Sequence, residues 1–307
     1  MSIELTVDGV AVSVPAGATV KDAIEARGIE VPTLCWAPNL DPVTACRLCV
    51  VEIAGSRVLV PSCGRVAEPG MVVHTDSERV RTSRRGVLEL LASSVDLSAA
   101  PNVARWMAEL GASADRFGPR GEPHAAGQRD AARAGHHHPS DGAAAETVCQ
   151  PVKVDNGLYV RDYAKCILCY KCVDACGEQA QASFAIGVAG RGFDARISTE
   201  LAVPLPDSAC VYCGNCIGVC PTGALAPTAE HELREAGAWR PEAQTQTDTI
   251  CPFCGVGCTL TLHVQDGDVV KVTSPHDSSV TGGHLCIKGR FGTGFTRNGL
   301  RPHRHGN

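Results

Sequence analysis

The sequence has little that would attach it to a membrane or to nucleic acid. Aromatic residues make up only 4% of the 307 residues, and no apolar run is long enough to span a bilayer. The 28 basic and 33 acidic residues give a formal net charge of −5, which argues against a nucleic-acid-binding role and a polybasic membrane anchor. The first residues lack the charged start, apolar stretch and twin arginines of export signals. These features predict a cytoplasmic protein without a transmembrane segment.

Cysteine, by contrast, is abundant, with 17 residues in the chain. A reducing compartment disfavours disulfides, so we expect these thiols to be metal ligands. Apart from Cys149, they fall into four groups of four, and an iron–sulfur cluster takes four cysteine ligands. The groups are Cys35, Cys46, Cys49 and Cys63; Cys166, Cys169, Cys172 and Cys176; Cys210, Cys213, Cys216 and Cys220; and Cys251, Cys254, Cys258 and Cys286. The spacing therefore predicts four clusters and one spare thiol.

The two middle groups repeat one pattern, C-x2-C-x2-C-x3-C, and the second copy is followed by Pro221. This is the bacterial ferredoxin pattern, in which the fourth cysteine of each run ligates the other cluster. One predicted [4Fe–4S] cluster is thus held by Cys166, Cys169, Cys172 and Cys220, and its neighbour by Cys210, Cys213, Cys216 and Cys176. Four-thiolate zinc sites are the alternative, but these usually pair two C-x2-C knuckles.

The first group lies in a segment with the pattern of a small sheet. Residues 4–7 and 11–14 alternate around Asp8-Gly9, which predicts a β-hairpin. Thr19 can cap a helix over residues 20–27 that ends at Gly28. Residues 50–53 and 58–60 predict a second hairpin that leads to Cys63. We interpret this segment as a ferredoxin-like β-grasp domain with a [2Fe–2S] cluster, and a set of buried free cysteines is the weaker alternative.

The last group has the spacing C-x2-C-x3-C-x27-C, and its long gap contains a predicted hairpin. The hairpin strands cover residues 260–264 and 269–272 and flank an Asp266-Gly267 turn. Cysteines at two ends of a small sheet suit a compact [4Fe–4S] module. A zinc ribbon also brings distant cysteines together around hairpins, and it stays open as an alternative.

The order of these motifs resembles the N-terminal iron–sulfur portion of the alpha subunit of NAD-linked molybdenum or tungsten formate dehydrogenases. Tyr163–Cys169, Gly190–Phe193 and Cys220–Leu225 carry the closest likeness. The large iron–sulfur subunit of complex I and iron-only hydrogenases share the first part. The last module resembles the cluster domain that opens bis-molybdopterin-guanine-dinucleotide oxidoreductases. In that family a lysine at the position of Lys288 lies between cluster and pterin, so the resemblance implies a cofactor-binding role for Lys288 on the electron route.

The sequence departs from this family in two places. The family usually has H-x3-C-x2-C-x5-C before the double ferredoxin, whereas here His136–His138 are followed by no cysteine until Cys149. We therefore expect the extra cluster to be absent, Cys149 to be a free thiol and the histidines to be solvated. The family also continues for several hundred residues beyond the last module. We expect the molybdopterin guanine dinucleotide site to lie on a partner chain or in a region missing from this sequence.

The predicted fold class is α+β in separate modules. A β-grasp domain covers residues 1–80, and a helical segment with a flexible linker covers 81–149. The double [4Fe–4S] ferredoxin covers 150–228, the small β-rich bis-molybdopterin-type module 248–296 and a polar tail 297–307. Helical periodicity predicts helices over 81–92, 102–110 and 230–239, whereas residues 118–147 have too few apolar side chains to fold.

Together these features predict an electron-transfer polypeptide with no catalytic residue of its own. It would carry one [2Fe–2S] and three [4Fe–4S] clusters between a molybdopterin catalytic subunit and an NAD/flavin diaphorase subunit or ferredoxin-like carrier. One alternative is the iron–sulfur subunit of a complex I-like or hydrogenase diaphorase assembly. Another is a zinc-stabilised interaction protein.

Overall fold

A computed structural model describes residues 2–118, 152–192 and 195–296, together with the backbone of two short strands at 136–137 and 147–148. The chain divides into two compact units. The first comprises Met1–Ala37, Asp41–Gln150 and Ala164–Tyr170, and the second comprises Pro38–Leu40, Pro151–Tyr163 and Lys171–Asn307. None of the helices in these described ranges is both long and apolar enough to cross a membrane.

A five-stranded mixed sheet forms the centre of the first unit. Its strands are β1 (Ser2–Val7), β2 (Val10–Pro15), β3 (Val50–Ile53), β4 (Val60–Pro61) and β5 (Val72–His74), in the order β2-β1-β5-β3-β4. The β1–β5 pair is parallel and the other pairs are antiparallel. Alternate residues such as Leu5 and Val7 point into the core, where helix α1 (Val20–Glu25) packs. One face of the sheet is thus covered by a helix.

Two longer helices build a second core in the same unit. They are α2 (Glu78–Ser94) and α3 (Pro101–Leu110), whose buried residues include Leu88 and Trp106. Trp106 is 5% exposed and is therefore a packing residue of this core. Leu34 and Leu48, from the loop that carries three of the first four cysteines, belong to the same core. Packing against α2 and α3 therefore supports the cysteine loop.

The ferredoxin part of the second unit is made of short elements. Strand β8 (Tyr159–Arg161) pairs with β11 (Leu225–Pro227), β9 (Gly187–Ala189) pairs with β10 (Arg196–Ser198), and α4 (Lys171–Cys176) packs on α5 (Asn215–Val219). A buried ion pair between Arg161 and Asp155 holds β8, and Asp155 also accepts the Leu205 amide at 2.9 Å.

A three-stranded antiparallel sheet completes the second unit. Its strands are β12 (Thr245–Ile250), β13 (Thr259–Gln265) and β14 (Asp268–Thr273), and helices α6 (Thr228–Glu235) and α7 (Ile287–Phe291) flank it. The core holds four buried residues, which are Cys251, Leu260, Val272 and Leu285. A core this small is typical of modules that depend on a bound metal for stability.

Several elements differ from their predicted bounds. The second strand of the β3–β4 hairpin begins at Val60 rather than Val58, whose side chain is exposed. Helix α6 spans Thr228–Glu235 instead of 230–239, because the chain turns at Gly237 with a φ of 64°. Strand β12 falls partly in the expected polar connector; all six of its side chains are exposed, so it has no apolar alternation to reveal it.

The expected linker over 118–147 lies almost wholly outside the described residues. Within it only the backbone pairing of β6 (His136–His137) with β7 (Thr147–Val148) is described. The predictions for Cys149 and for the side chains of His136–His138 likewise lie outside the described residues.

Candidate iron–sulfur cluster sites

The four cysteines of the first group converge in the first unit. The Cys46 amide donates to the Cys35 sulfur at 3.3 Å, and the Cys49 and Cys63 sulfurs are 3.3 Å apart. Cys35, Cys49 and Cys63 are buried, and Cys46 is half-buried. Non-glycine residues Thr44 and Arg47 have φ of 58° and 59°, which winds the loop around the thiols. Converging thiols with an amide directed at sulfur fit a [2Fe–2S] cluster.

Hydrogen bonds among these four thiols lower the pKa of two of them and raise the pKa of the other two. Hydrogen bonds from the thiols of Cys46 and Cys63 lower the pKa of Cys35 to about 2. A hydrogen bond from Cys63 lowers the pKa of Cys49 to about 7, and the donors Cys46 and Cys63 have raised pKa values for the same reason. Thiolate is the form of cysteine that ligates a metal, and two of the four thiols have a lowered pKa.

Two buried cations lie near this first site. Lys21 is 2% exposed, pairs with Glu25 and lies 3.5 Å from the ring centroid of Trp36, the residue after Cys35. Arg84 on α2 is 6% exposed and donates to the Val50 carbonyl at 2.9 Å. Burial lowers the pKa of Arg84, and the charge of Cys49 acts against that shift. The sequence pattern did not single out either cation.

The two ferredoxin runs have the same local backbone. In the first run Leu168 has a φ of 52° and its amide lies 3.5 Å from the Cys166 sulfur. At the equivalent position of the second run Tyr212 has a φ of 56° and its amide lies 3.4 Å from the Cys210 sulfur. Amides that point at ligand sulfurs are typical of cluster-binding loops, and the repeated left-handed residue accounts for the two-residue gaps between cysteines.

The second run and the last cysteine of the first run line one cavity in the second unit. Cys176, Cys210, Cys213 and Cys216 all line it. Burial, followed by the charges of Cys213, Cys176 and Cys210, raises the pKa of the Cys216 thiol. Cys176 thus lies with the cysteines of the second run, and its role as a ligand of that cluster stays a prediction.

The other predicted ferredoxin set stays a prediction. Cys166 and Cys169 precede α4 in the first unit, whereas Cys172 lies on α4 and Cys220 directly follows α5 in the second. Cys169 and Cys172 are buried, and Cys166 and Cys220 are half-buried. Their assignment to one cluster rests on the C-x2-C-x2-C-x3-C spacing.

The last group also converges. Cys251 follows β12, Cys258 precedes β13, and the Cys251 amide donates to the Cys258 carbonyl at 2.8 Å. Cys286 precedes α7 and is exposed, as is Cys254. Burial and the charges of Cys251, Cys254 and Cys286 raise the pKa of the Cys258 thiol. Within the described ranges, no three His, Cys, Asp or Glu side chains are arranged to hold a single metal ion.

Lys288 lies in the first turn of α7, two residues after Cys286, and its side chain is exposed. This position places it beside the last cysteine group, facing solvent. Its proposed role toward a pterin stays a prediction from the resemblance.

Sequence reasoning missed Arg290, a buried cation of this unit. Arg290 is 5% exposed and lies on α7. Its Nε donates to the Cys213 carbonyl at 3.1 Å, and its Nη2 donates to the Asn215 side-chain oxygen at 3.2 Å. Burial lowers the pKa of Arg290, whereas Cys216 and Cys213 oppose that shift. The spacing of the cysteines does not predict its burial, because a single arginine after Cys-x-Lys-Gly is expected to be a solvent-exposed charge.

Tyr159 is a further residue that the sequence pattern did not single out. Its hydroxyl oxygen lies 3.1 Å from the Cys210 sulfur, and its side chain is 2% exposed. Its ring stacks on Phe291 with centroids 6.1 Å apart and an interplanar angle of 11°. Burial and the nearby cysteines raise the pKa of Tyr159, and either the hydroxyl or the Cys210 thiol can donate the hydrogen bond between them.

Comparison with known protein families finds three domains in the predicted order. Residues 1–78 match a 2Fe-2S iron–sulfur cluster binding domain. Residues 158–226 match the ferredoxin-like domain of NADH-quinone oxidoreductase subunit 3, and residues 244–298 match the molybdopterin oxidoreductase Fe4S4 domain.

Whole-chain comparisons agree with the domain matches. The chain is 35% identical to one subunit of an NADH-quinone oxidoreductase of Rhizobium meliloti, over 95% of its own length and 31% of that protein. It is 25% identical to a putative formate dehydrogenase of Staphylococcus haemolyticus, over 97% of this chain and 31% of that one. A chain in the crystal structure of an NAD+-reducing [NiFe]-hydrogenase matches with 27% identity and a TM-score of 0.58, over 75% of this chain and 88% of that chain.

These findings define the class of this chain as proteins that contain three iron–sulfur domains: a 2Fe-2S domain, a ferredoxin-like domain and a molybdopterin oxidoreductase Fe4S4 domain. Within that class, the chain is related to the iron–sulfur portions of NADH-quinone oxidoreductase and of formate dehydrogenase, as the motifs indicated. It spans about a third of the length of the curated relatives it matches.

Proposed function

We propose that this chain is an iron–sulfur electron relay with one [2Fe–2S] and three [4Fe–4S] clusters. The observation that carries the proposal is the convergence of cysteine thiols, with amides directed at their sulfurs, at separate places in the fold. The clusters supply one-electron chemistry when bound, and the chain binds them, buries them and hydrogen-bonds their ligands. No nucleophile or acid–base pair is required of the chain.

The proposed ligand sets follow the four cysteine groups with one exchange. The [2Fe–2S] cluster takes Cys35, Cys46, Cys49 and Cys63; the [4Fe–4S] clusters take Cys166, Cys169, Cys172 and Cys220, then Cys176, Cys210, Cys213 and Cys216, and finally Cys251, Cys254, Cys258 and Cys286. The parallel β1–β5 pair and the covering helix α1 support the β-grasp assignment of the first domain. The domain limits stay those predicted, 1–80, 150–228 and 248–296.

We place a molybdopterin guanine dinucleotide site on a partner chain or in a further region, beside the last cluster and Lys288. The clusters that the four cysteine sets would hold would supply one-electron transfer between that site and an NAD/flavin subunit or ferredoxin-like carrier, by way of the two ferredoxin clusters and the [2Fe–2S] centre. The match of residues 244–298 to a molybdopterin oxidoreductase domain supports this placement.

A second candidate is the iron–sulfur subunit of a complex I-like or hydrogenase assembly that works without molybdenum. The likeness to a subunit of NADH-quinone oxidoreductase and to a chain of an NAD+-reducing hydrogenase favours it. Both candidates have the electron-transfer role, and they differ only in whether the chain exchanges electrons with a molybdopterin catalytic site.

Anaerobic purification of the full chain, followed by metal analysis and EPR, tests the relay role. Three cubanes and one [2Fe–2S] centre predict about fourteen iron atoms per chain. The reduced protein should show one [2Fe–2S] signal and up to three [4Fe–4S] signals. A colourless protein that contains zinc would contradict the relay and support a zinc-stabilised interaction module.

Purification from the native host separates the two candidates. Recovery of a molybdopterin subunit, with formate-dependent reduction of the clusters, is expected for the first. Reduction of the clusters by NADH or hydrogen in a complex without molybdenum would favour the second.

A further inference from the structure

The unexplained feature of the second unit is a guanidinium buried between two candidate cluster sites. Arg290 is 5% exposed although it belongs to a helix of only five residues that follows Cys286. Arginine is almost never fully buried without a partner, because removal of its charge from water is costly. Such a residue therefore calls for a compensating interaction.

The hydrogen bonds of Arg290 go to neutral acceptors. They reach the carbonyls of Cys213 and Val272 at 3.1 and 3.4 Å and the Asn215 side-chain oxygen at 3.2 Å. Among the residues that the structure describes, no Asp or Glu forms an ion pair with Arg290; the charges that act on it are those of Cys216 and Cys213. Its positive charge thus faces the cysteine set at Cys176, Cys210, Cys213 and Cys216.

The surrounding backbone is shaped to receive this side chain. Gly214 has a φ of 70°, and a side-chain Cβ at this position would clash with the Arg290 Cδ. A Cβ on Gly218, on the facing helix α5, would lie 3.2 Å from the Arg290 Nη2. Glycine at both positions lets the guanidinium lie directly against the cysteine loop.

Arg290 also connects the two cysteine sets through a short path. Its backbone amide donates to the carbonyl of Cys286 at 3.0 Å, and its Nε donates to the carbonyl of Cys213 at 3.1 Å. One residue therefore joins a candidate ligand of the last cluster to a candidate ligand of the ferredoxin cluster by hydrogen bonds at both ends. Phe291, the next residue, stacks on Tyr159 beside Cys210.

We propose that Arg290 is a positioning residue that joins the two [4Fe–4S] sites of the second unit and whose charge raises the reduction potential of the cluster at Cys176, Cys210, Cys213 and Cys216. The proposal rests on the function proposed above. Reduction adds one negative charge to the cluster, and a nearby buried cation stabilises that added charge because little water screens it. The cluster would then accept an electron from the neighbouring site more readily.

Potentiometric EPR titration of the full, cluster-loaded chain tests the proposal. The neutral variants Arg290→Gln and Arg290→Met should lower the potential of one [4Fe–4S] cluster, with at least a tenfold shift in its reduction equilibrium, which is 59 mV for one electron. Arg290→Lys keeps the positive charge, and the reduction equilibrium of the cluster in this variant should stay within threefold of that in the unaltered protein. Arg240→Gln is the matched control, because Arg240 is half-exposed and pairs with Asp266 at the surface of the same unit.

Two results would overturn the proposal. One is an unchanged potential in both neutral variants; the other is loss of iron in all three Arg290 variants, including Arg290→Lys, since that pattern reports packing rather than charge. Loss of iron in the neutral variants alone supports the charge argument. The iron content of the unaltered protein separates failure of the Arg290 proposal from failure of the proposed function. A chain that binds no clusters would contradict the electron-relay function itself.

Discussion

At the scale of single residues, the cysteines differ in how firmly the fold holds them. Cys35, Cys49, Cys63 and Cys251 are buried, whereas Cys254 and Cys286 are exposed. We expect the exposed cysteines to be ordered by the cluster that they would hold, so that the last site depends on binding more than the first does.

Removal of one ligand should empty one site and leave the others. We expect Cys258→Ser to lower the iron content from about fourteen to about ten atoms per chain, because a [4Fe–4S] cluster uses four cysteines. Cys149→Ser is the control and should keep all the iron. Metal analysis of both variants measures this; a loss of iron in Cys149→Ser would assign that thiol a ligand role.

Glu230 is the carboxylate that ties α6 to β14. It is 5% exposed and accepts from Arg234 at 2.7 Å and from Lys271 at 3.0 Å. Burial would raise its pKa, but Lys271 and Arg234 outweigh burial and lower it. A carboxylate with a lowered folded-state pKa stabilises the fold above its unfolded pKa, and this contribution is lost as the pH falls through the lowered value.

We therefore expect Glu230→Gln to destabilise the second unit by about 1.5 kcal/mol near neutral pH, since it leaves the half-buried cations Arg234 and Lys271 without their carboxylate partner. The difference from the unaltered protein should shrink below the ordinary glutamate pKa of 4.5. Denaturant unfolding at several pH values measures both effects. Glu235→Gln, exposed on the same helix, is the control; an equal loss there would contradict the role of the ion pairs.

At the scale of elements, most of the helices are too short to be stable alone, so caps and packing must hold them. Helix α1 has six residues and a capping box, in which Thr19 and Asp22 exchange hydrogen bonds. Thr19→Ala should destabilise the first unit by about 1 kcal/mol, as measured by urea unfolding. Thr19→Ser keeps the hydroxyl and should stay close to the unaltered protein, and a similar loss in both variants would show that the cap is not responsible.

Helix α5 depends on a glycine at its start. Gly214 has a φ of 70° and lies against Arg290, whereas Gly237 has a φ of 64° and open space around its Cα. Alanine at either position bears the cost of a left-handed residue, about 1 kcal/mol. Gly214→Ala must in addition displace Arg290, so we expect it to be more destabilising than Gly237→Ala in denaturant unfolding. Equal losses would contradict close packing at Gly214.

At the scale of the whole molecule, stability is distributed unevenly. The first unit has a core of fourteen buried residues under its sheet, whereas the last module has a core of four. Small modules of this kind rely on bound metal for their stability.

Iron removal should therefore loosen the modules to different extents. After chelation, we expect amide exchange to rise strongly in β12–β14 and only slightly in β1–β5. Hydrogen–deuterium exchange of holo and chelated protein measures this. Equal protection of β12–β14 in both forms would mean that the last module does not depend on its cluster.

Local patterns in the sequence determined much of this protein. Cysteine spacing predicted that the groups at Cys35–Cys63 and Cys251–Cys286 each lie close together, because ligand geometry restricts how many residues separate two ligands; the ligand roles themselves stay predictions. Alternation and turn residues predicted the β1–β2 and β13–β14 hairpins, since both signals are local.

Only the tertiary structure decided which residues from other parts of the chain contact the cysteines. The burial of Arg290 and the contact of Tyr159 with Cys210 join residues 77 and 51 positions apart. The exposed edge strand β12 is likewise set by its pairing with β13 rather than by its own side chains. Such contacts depend on how distant elements pack, and no local periodicity or spacing records that packing.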